Sequence, residues 1–563
     1  MTERYDFIVV GGGTAGCLLA ANLAAAATRP SVLIIEAGNH DQDTSLHSPF
    51  DRFRVIFART ELNYGYMTTP QTSLNNRRLP YYRGKGLGGS SLVNFLFYLY
   101  GSKEDYNRWA DVVGDDAWNW DHVKEALKKV ETYHTEGPDE SDLFAKPAYE
   151  DHGHEGPVHI SLPPTWEMGT RYILEAGIKY GMKRNLDLNS GNPIGIGIVP
   201  SNYANGKRVT SASANLSTIP DNLTIWTNST AGQIIFDGKK AVGVHLRDGR
   251  TVFATKDIVL TAGPIDTPKL LLLSGIGPQT ELEKLGIQVV HALEGVGKHL
   301  LDRTAVFTCA LVEDGYFDKH SLEVDSNRLR EARMMWEETG SGPLSVYNSS
   351  IVAAFTKIPR LLSTPEYKML EIEEKEYIER DSVPHFEMIV NSPLPPMLSI
   401  KDDEMYLTYT TILMRPQSVG SLRLSSANPD DFPVIDLNLL DHAFDKRSMI
   451  EAVRDTMKFQ YESDLGKIFK RYLAGPKSES DEDIMEYLKS DAIPAWHACG
   501  TVAMGKSDNP NSCVDSNLHV FGLGGLRVAD LSICPILPGN HPQSTAYFIG
   551  QIAADKIIQD WNL

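Results

Sequence analysis

Tyr5-Asp6-Phe7-Ile8-Val9-Val10-Gly11-Gly12-Gly13-Thr14-Ala15-Gly16, followed by Cys17-Leu18-Leu19-Ala20-Ala21-Asn22-Leu23, is the stretch whose reading decides the fold. An apolar run of strand length enters a Gly-x-Gly-x-x-Gly turn and leaves it as an Ala-rich helical run. In that order the helix presents its free N–H groups and positive dipole end to a pyrophosphate. Gly11 permits the tight turn, Gly13 the close approach of phosphate, and Gly16 the packing of helix on strand. A second apolar run, Ser31-Val32-Leu33-Ile34-Ile35, ends in Glu36, where a carboxylate accepts hydrogen bonds from a ribose diol. The pattern predicts an α/β, Rossmann-like dinucleotide-binding domain. It does not separate NAD from FAD.

The remaining composition fits a large enzyme. At 563 residues the chain exceeds one compact core, and two domains are expected. A net charge of −19 argues against nucleic acid, whose binding needs a basic surface. No apolar run approaches the roughly 20 residues that span a bilayer. Met1-Thr2-Glu3-Arg4 leads straight into the first strand, unlike a signal peptide, so a cytoplasmic location is expected unless a leader was removed. In that secreted case only, the sequons at Asn215, Asn222, Asn228 and Asn348 would matter. Five cysteines without regular spacing predict neither a disulfide framework nor a zinc site. Cys499, close to His497, reads better as a small packed residue than as a nucleophile. No metal site is expected, although His152 and His154 lie close together.

Farther along, residues 222–246 read as strands around the turn Asp237-Gly238-Lys239-Lys240. Thr251-Val252-Phe253-Ala254 and the run from Lys256 to Gly263 read as two more, the latter entering a Gly-Pro turn before a helix from Thr267 to Leu273 with Pro268 near its first turn. Residues 301–490 have a different texture, with an amphipathic stretch from Asn327 to Glu338 and a strand from Tyr406 to Leu413. The polar segment from Gly475 to Asp483 reads as a surface loop between two helices.

Two further segments carry a family resemblance. Gly84-Lys85-Gly86-Leu87-Gly88-Gly89-Ser90-Ser91-Leu92-Val93-Asn94 resembles the first signature of the glucose-methanol-choline (GMC) oxidoreductases, and Gly263-Pro264-Ile265-Asp266-Thr267-Pro268 resembles the second. Arg415-Pro416-Gln417-Ser418, Trp496-His497, Arg527-Val528-Ala529-Asp530 and Asn540-His541 continue the family's order, so the resemblance covers nearly the whole chain.

The resemblance implies an FAD-binding domain of glucose-oxidase type, formed by residues 1–160, 206–300 and 496–563. An α+β substrate domain with an antiparallel sheet would comprise 161–205 and 301–495. It implies FAD held by Gly11, Gly13, Thr14, Ala15, Gly16, Glu36, Gly88, Gly89, Ser90, Asn94, Ala231 and Asp530. Some members carry a covalently linked histidine just before the Asn94 position; here it is Val93, so the FAD is expected to be non-covalent.

His497 and His541 resemble the family's catalytic pair. Imidazole titrates near neutral pH and suits removal of a hydroxyl proton while hydride leaves carbon. The resemblance implies His497 as base and His541 as the partner that orients the hydroxyl. Phe95 and Trp496 resemble positions in aryl-alcohol and furfural-type oxidases and favour an aromatic or apolar primary alcohol over a sugar; ordinary packing of aromatics around a flavin explains them equally well. The expected partners are a small-molecule alcohol and O2 or another electron acceptor. A non-redox cyclase that keeps FAD structurally, and a non-catalytic flavin-binding module, are the alternatives.

Overall fold

The first strand and turn form as their pattern dictates, and they become the centre of the larger of the two main sheets. The structure, a computed structural model, describes residues 3–317, 319–391, 398 and 404–563. Residues 318, 392–397 and 399–403, inside the region read as the substrate domain, lie outside this set.

Strand β1 (Glu3–Val10) buries Phe7, Ile8, Val9 and Val10 completely or nearly so, each worth about 1.5–3 kcal/mol of transfer free energy. Helix α1 (Thr14–Ala24) follows, then β2 (Val32–Ile35), β3 (Leu223–Trp226), β4 (Ala231–Asp237), β5 (Lys240–Leu246) and β6 (Thr251–Leu260). The sheet order is β3-β2-β1-β6-β5-β4, parallel from β3 to β6 and antiparallel beyond. The two runs read as separate strands around Lys256 are the single strand β6. It pairs with β1 from Val252 to Leu260, across a register shift between Tyr5 and Phe7.

Helix α2 (Gly263–Leu273) begins four residues before the expected Thr267. Pro264 sits in its first turn, where no N–H is needed, while Pro268 falls inside the helix. Pro268 cannot donate to the carbonyl one turn back, that of Pro264. The Thr501 hydroxyl donates to that carbonyl instead, at 2.7 Å. A partner more than two hundred residues away thus lets the helix run through a proline.

The second sheet is built from β7 (Thr304–Val312), β8 (Val352–Thr356), β9 (Phe386–Val390), β10 (Met405–Leu413), β11 (Phe469–Ala474) and β12 (Ile493–Pro494). All its pairings are antiparallel, in the order β8-β9-β10-β7-β11, with β12 also on β7. Helix α3 (Ser326–Thr339) forms over the expected amphipathic stretch. The segment from Gly475 leads from strand β11 into helix α4 (Asp481–Asp491), so a strand stands where a helix was expected before it.

The chain then returns to the first sheet. Strand β13 (Leu526–Val528) pairs in parallel with the second half of β6, whose first half pairs with β5. Helix α5 (Gln543–Trp561) packs on α1 so closely that a Cβ on Gly550 would lie 2.8 Å from the Ala15 carbonyl oxygen. This return carries residues from both ends of the sequence to one cavity. Among the described residues no helix is long and apolar enough to cross a membrane.

Candidate active site

One cavity of about 1180 Å3 is lined by Gly11, Gly13, Thr14, Ala15, Glu36, Gly89, Ser90, Asn94, Ala231 and Asp530, and by Phe95, Trp496, His497 and His541. A single small-molecule pocket occupies roughly 300–1,000 Å3, and this cavity lies above that range.

At the nucleotide end the walls are backbone. Helix α1 has Gly13 as its N-cap, with no capping side chain and no acid in its first turn. Its first N–H groups are left for an anion. Gly11 has φ +108°, and a Cβ there would lie 2.6 Å from the Thr261 carbonyl oxygen. A Cβ on Gly89, φ +54°, would lie 2.7 Å from Gly13 Cα, and Gly88 N–H donates to the Gly12 carbonyl at 2.7 Å. The two glycine loops therefore touch backbone to backbone.

Gly16 and Gly88 do not line the cavity. A Cβ on Gly16 would fall 2.1 Å from the Gly11 carbonyl oxygen, which gives it a packing role. Glu36, buried at the end of β2, accepts from Gly12 N–H at 2.9 Å and Gly38 N–H at 2.7 Å; burial pushes its carboxyl above the usual range. Asp530 accepts from Gly263 N–H at 2.9 Å, the Thr267 hydroxyl at 2.6 Å and Ser532 N–H at 2.7 Å, tying α2 to the end of β13.

This donor set fits FAD. It combines a helix terminus without a capping side chain, glycines whose Cβ atoms would collide with neighbouring backbone, and a buried carboxylate, Glu36, at the end of β2. Val93 also lines the cavity and has no ring nitrogen through which to link a flavin covalently. Asn94 is held beside it: its Nδ2 donates to Gln543 at 2.7 Å and its Oδ1 accepts from Arg208 at 2.9 Å.

The other end is built from side chains. Trp496 has φ +59°, a left-handed conformation strained for so large a residue, and Arg83 Nη2 donates to its carbonyl at 2.6 Å. Asp302 accepts from His497 N–H at 2.8 Å, from Arg303 N–H at 2.7 Å and from the Tyr81 hydroxyl at 2.5 Å. The backbone kink and this carboxylate together aim His497 into the cavity.

Arg303, fully buried, donates from Nη1 to His497 Nδ1 at 2.9 Å and to the Asn540 carbonyl at 2.8 Å, and from Nη2 to the Pro538 carbonyl. His541 Nε2 lies 3.0 and 3.2 Å from the two oxygens of Glu387, a fully buried carboxylate on β9. Phe97 stacks on the His541 ring at 4.4 Å, and the two imidazoles meet edge to face with centroids 4.7 Å apart. Burial, then His541, Arg303 and Arg83, hold His497 well below the usual histidine pKa.

Arg83, Asp302, Arg303 and Glu387 are the functional neighbours that sequence reasoning missed. Glu387 carried a readable signal: it is the one charge in Phe386-Glu387-Met388-Ile389-Val390, a strand buried throughout. Other histidines lie elsewhere. His385 is buried, accepts from Ile358 N–H at 2.9 Å and does not line the cavity. His152 is buried between Glu131 and Asp187. All five cysteines are buried, and none of them forms a disulfide among the described residues.

A dinucleotide cradle and an imidazole pair on one cavity, in this fold, define a flavin-dependent oxidoreductase. Residues 5–305 and 416–550 match the GMC oxidoreductase family, to which the chain belongs. It is 33% identical to glucose methanol choline oxidoreductase atC of Aspergillus terreus, across 98% of this chain and 92% of that protein. It is 30% identical to an alcohol dehydrogenase (acceptor) of Pseudomonas putida, across 99% and 96%. A solved formate oxidase from Aspergillus oryzae superimposes with a TM-score of 0.88 at 27% identity, covering 100% of this chain and 99% of that one.

Proposed function

We propose that the protein oxidises a primary alcohol bearing an aromatic or otherwise apolar group to its aldehyde, and passes the electrons to O2 or another acceptor. The observation that carries this reading is the pair of imidazoles, ring centroids 4.7 Å apart, on the cavity that also holds the dinucleotide cradle. Gly11, Gly13, Thr14, Ala15, Glu36 and Ala231 would hold the ADP half of FAD, and Gly89, Ser90, Asn94 and Asp530 would hold it toward the flavin ring.

FAD, when bound, supplies the hydride acceptor. The chain's own residues bind the alcohol, exclude water and take the hydroxyl proton. The apolar wall beyond the histidines supports the substrate class: Phe95 lies 5.0 Å from Phe53 and 6.0 Å from Trp496, ring to ring. A sugar would leave its hydroxyls unpaired against these rings.

The test is an anaerobic panel of alcohols followed at the flavin absorbance band. Benzylic or long-chain primary alcohols are expected to bleach it and sugars to leave it unchanged; admitting O2 then reads the acceptor from the speed of recovery. A holoenzyme that no alcohol bleaches would overturn the proposal.

A further inference from the structure

We infer that Arg303 and Glu387 turn the two histidines to opposite duties, making His541 the group that takes the hydroxyl proton and His497 the donor that holds the hydroxyl oxygen. This rests on the alcohol oxidation proposed above and reverses the roles that the family resemblance implies for the pair.

The argument is one of donors and acceptors. A guanidinium carries donors only. With Arg303 Nη1 at 2.9 Å, His497 Nδ1 supplies a lone pair, and the single proton of the neutral ring sits on Nε2. Turning the ring over would set Cδ2–H against a guanidinium N–H. His497 therefore shows the cavity an N–H, which cannot take a proton.

An ionised carboxylate carries acceptors only. With both Glu387 oxygens at 3.0–3.2 Å, His541 Nε2 holds that ring's proton. His541 Nδ1 keeps its lone pair, has no hydrogen-bond partner among the described residues, and belongs to a ring that lines the cavity. Both neutral rings carry the proton on Nε2, but one faces the cavity with its donor and the other with its acceptor.

Charge favours the same division. A protonated His541 would sit directly against a buried carboxylate, whereas a protonated His497 would sit against Arg303 with Arg83 nearby. In the reaction the O–H bond breaks and its proton goes to His541 Nδ1. The C–H electron pair would leave as hydride as the C=O bond forms, the two electrons passing to the acceptor that a bound FAD would supply. Arg303 and Glu387 are positioning residues, acting through the rings they touch.

The holoenzyme tests this in two ways. With 15N-labelled histidine, and His497→Gln and His541→Gln to assign the signals, NMR is expected to find a proton on Nε2 of both rings and none on Nδ1. A proton on His497 Nδ1 overturns the inference, whatever the substrate proves to be.

In anaerobic flavin reduction, Glu387→Gln is expected to slow the reaction by about 10²–10⁴, the usual contribution of a positioned base, with flavin content unchanged. The new amide either donates to Nε2, moving the proton to Nδ1, or accepts from it without the charge that stabilises the imidazolium. His541→Gln gives the same loss and serves where Glu387→Gln fails to fold. His497→Gln keeps an N–H donor and is expected to lose less than either of these variants, staying above the base-deleted rate. The reverse ranking overturns the inference. Failure of every alcohol to bleach the parent enzyme would strike the proposed function alone, because the NMR result needs no substrate.

Discussion

The two ends of the cavity are made in different ways. The nucleotide end consists of backbone from short continuous segments: one turn of α1, one glycine loop, and the end of β2. The histidine end consists of side chains from residues 81–83, 302–303, 387, 496–497 and 541, each held by another in the set. A backbone site is intolerant of added volume and indifferent to most side chains. A side-chain site keeps the cofactor when one member changes, yet loses the arrangement of donors and acceptors on which its chemistry depends.

The sharpest way to break the first end is to add one methyl group. In Gly16→Ala the new Cβ would meet the Gly11 carbonyl 2.1 Å away, and no rotamer can move it. Destabilisation at the exceptional end, above about 4 kcal/mol, is expected. Most purified protein should lack flavin, read as the ratio of flavin to protein absorbance. A normal flavin content would mean the loop is far looser than described.

The histidine end should fail differently. Asp302→Asn removes the carboxylate that accepts from the backbone of His497 and from Tyr81. A misplacement on the order of 1 Å costs about 10²-fold in rate, so flavin reduction should slow by roughly that factor while flavin content is kept. Equal loss of flavin and rate would erase the distinction between the two ends.

Legibility in the sequence follows the same division. The nucleotide end could be read because each residue's reason lies in its own segment: Gly11 in a turn with positive φ, Glu36 at the end of its strand. The histidine pair could be read through its motifs, but not its orientation, because Arg303 lies 194 positions from His497 and Glu387 lies 154 from His541. The start of α2 at Gly263 escapes the local pattern for a related reason. Pro268 is tolerated only because Thr501 takes the Pro264 carbonyl, and no local pattern contains that hydrogen bond.

A smaller effect is expected at Glu36. Its carboxylate already accepts two backbone N–H groups, so Glu36→Gln disturbs the loop as well as any ribose contact. A charge-assisted hydrogen bond is worth about 1.5–3 kcal/mol, and FAD affinity should fall by roughly 10- to 150-fold, measured by reconstitution of the stripped protein. Flavin reduction in the saturated variant should remain near that of the parent, which would separate holding the cofactor from using it.

The mildest test compares His152 with His385, two buried histidines given opposite neighbours. Burial alone would lower His152, but the hydrogen bonds its ring N–H groups donate to Asp187 and Glu131 outweigh it and hold its pKa at about 9. His385, lowered first by burial and then by Lys357, sits at about 4. Both start near 6.5 in the unfolded chain. The raised pKa of His152 gives stability that is full below 6.5 and is lost as pH rises through 9. The lowered pKa of His385 gives stability that is full above 6.5 and is lost as pH falls through 4. At full strength a shift such as that of His152 is worth on the order of 3 kcal/mol. Thermal unfolding of His152→Gln should therefore differ most from the parent near pH 6 and converge with it above pH 9, with the acid side parallel in both. A difference that did not change with pH would mean that His152 is not charged between its two carboxylates. It would also weaken the wider argument that the partner of each histidine here, carboxylate or guanidinium, decides where its proton lies.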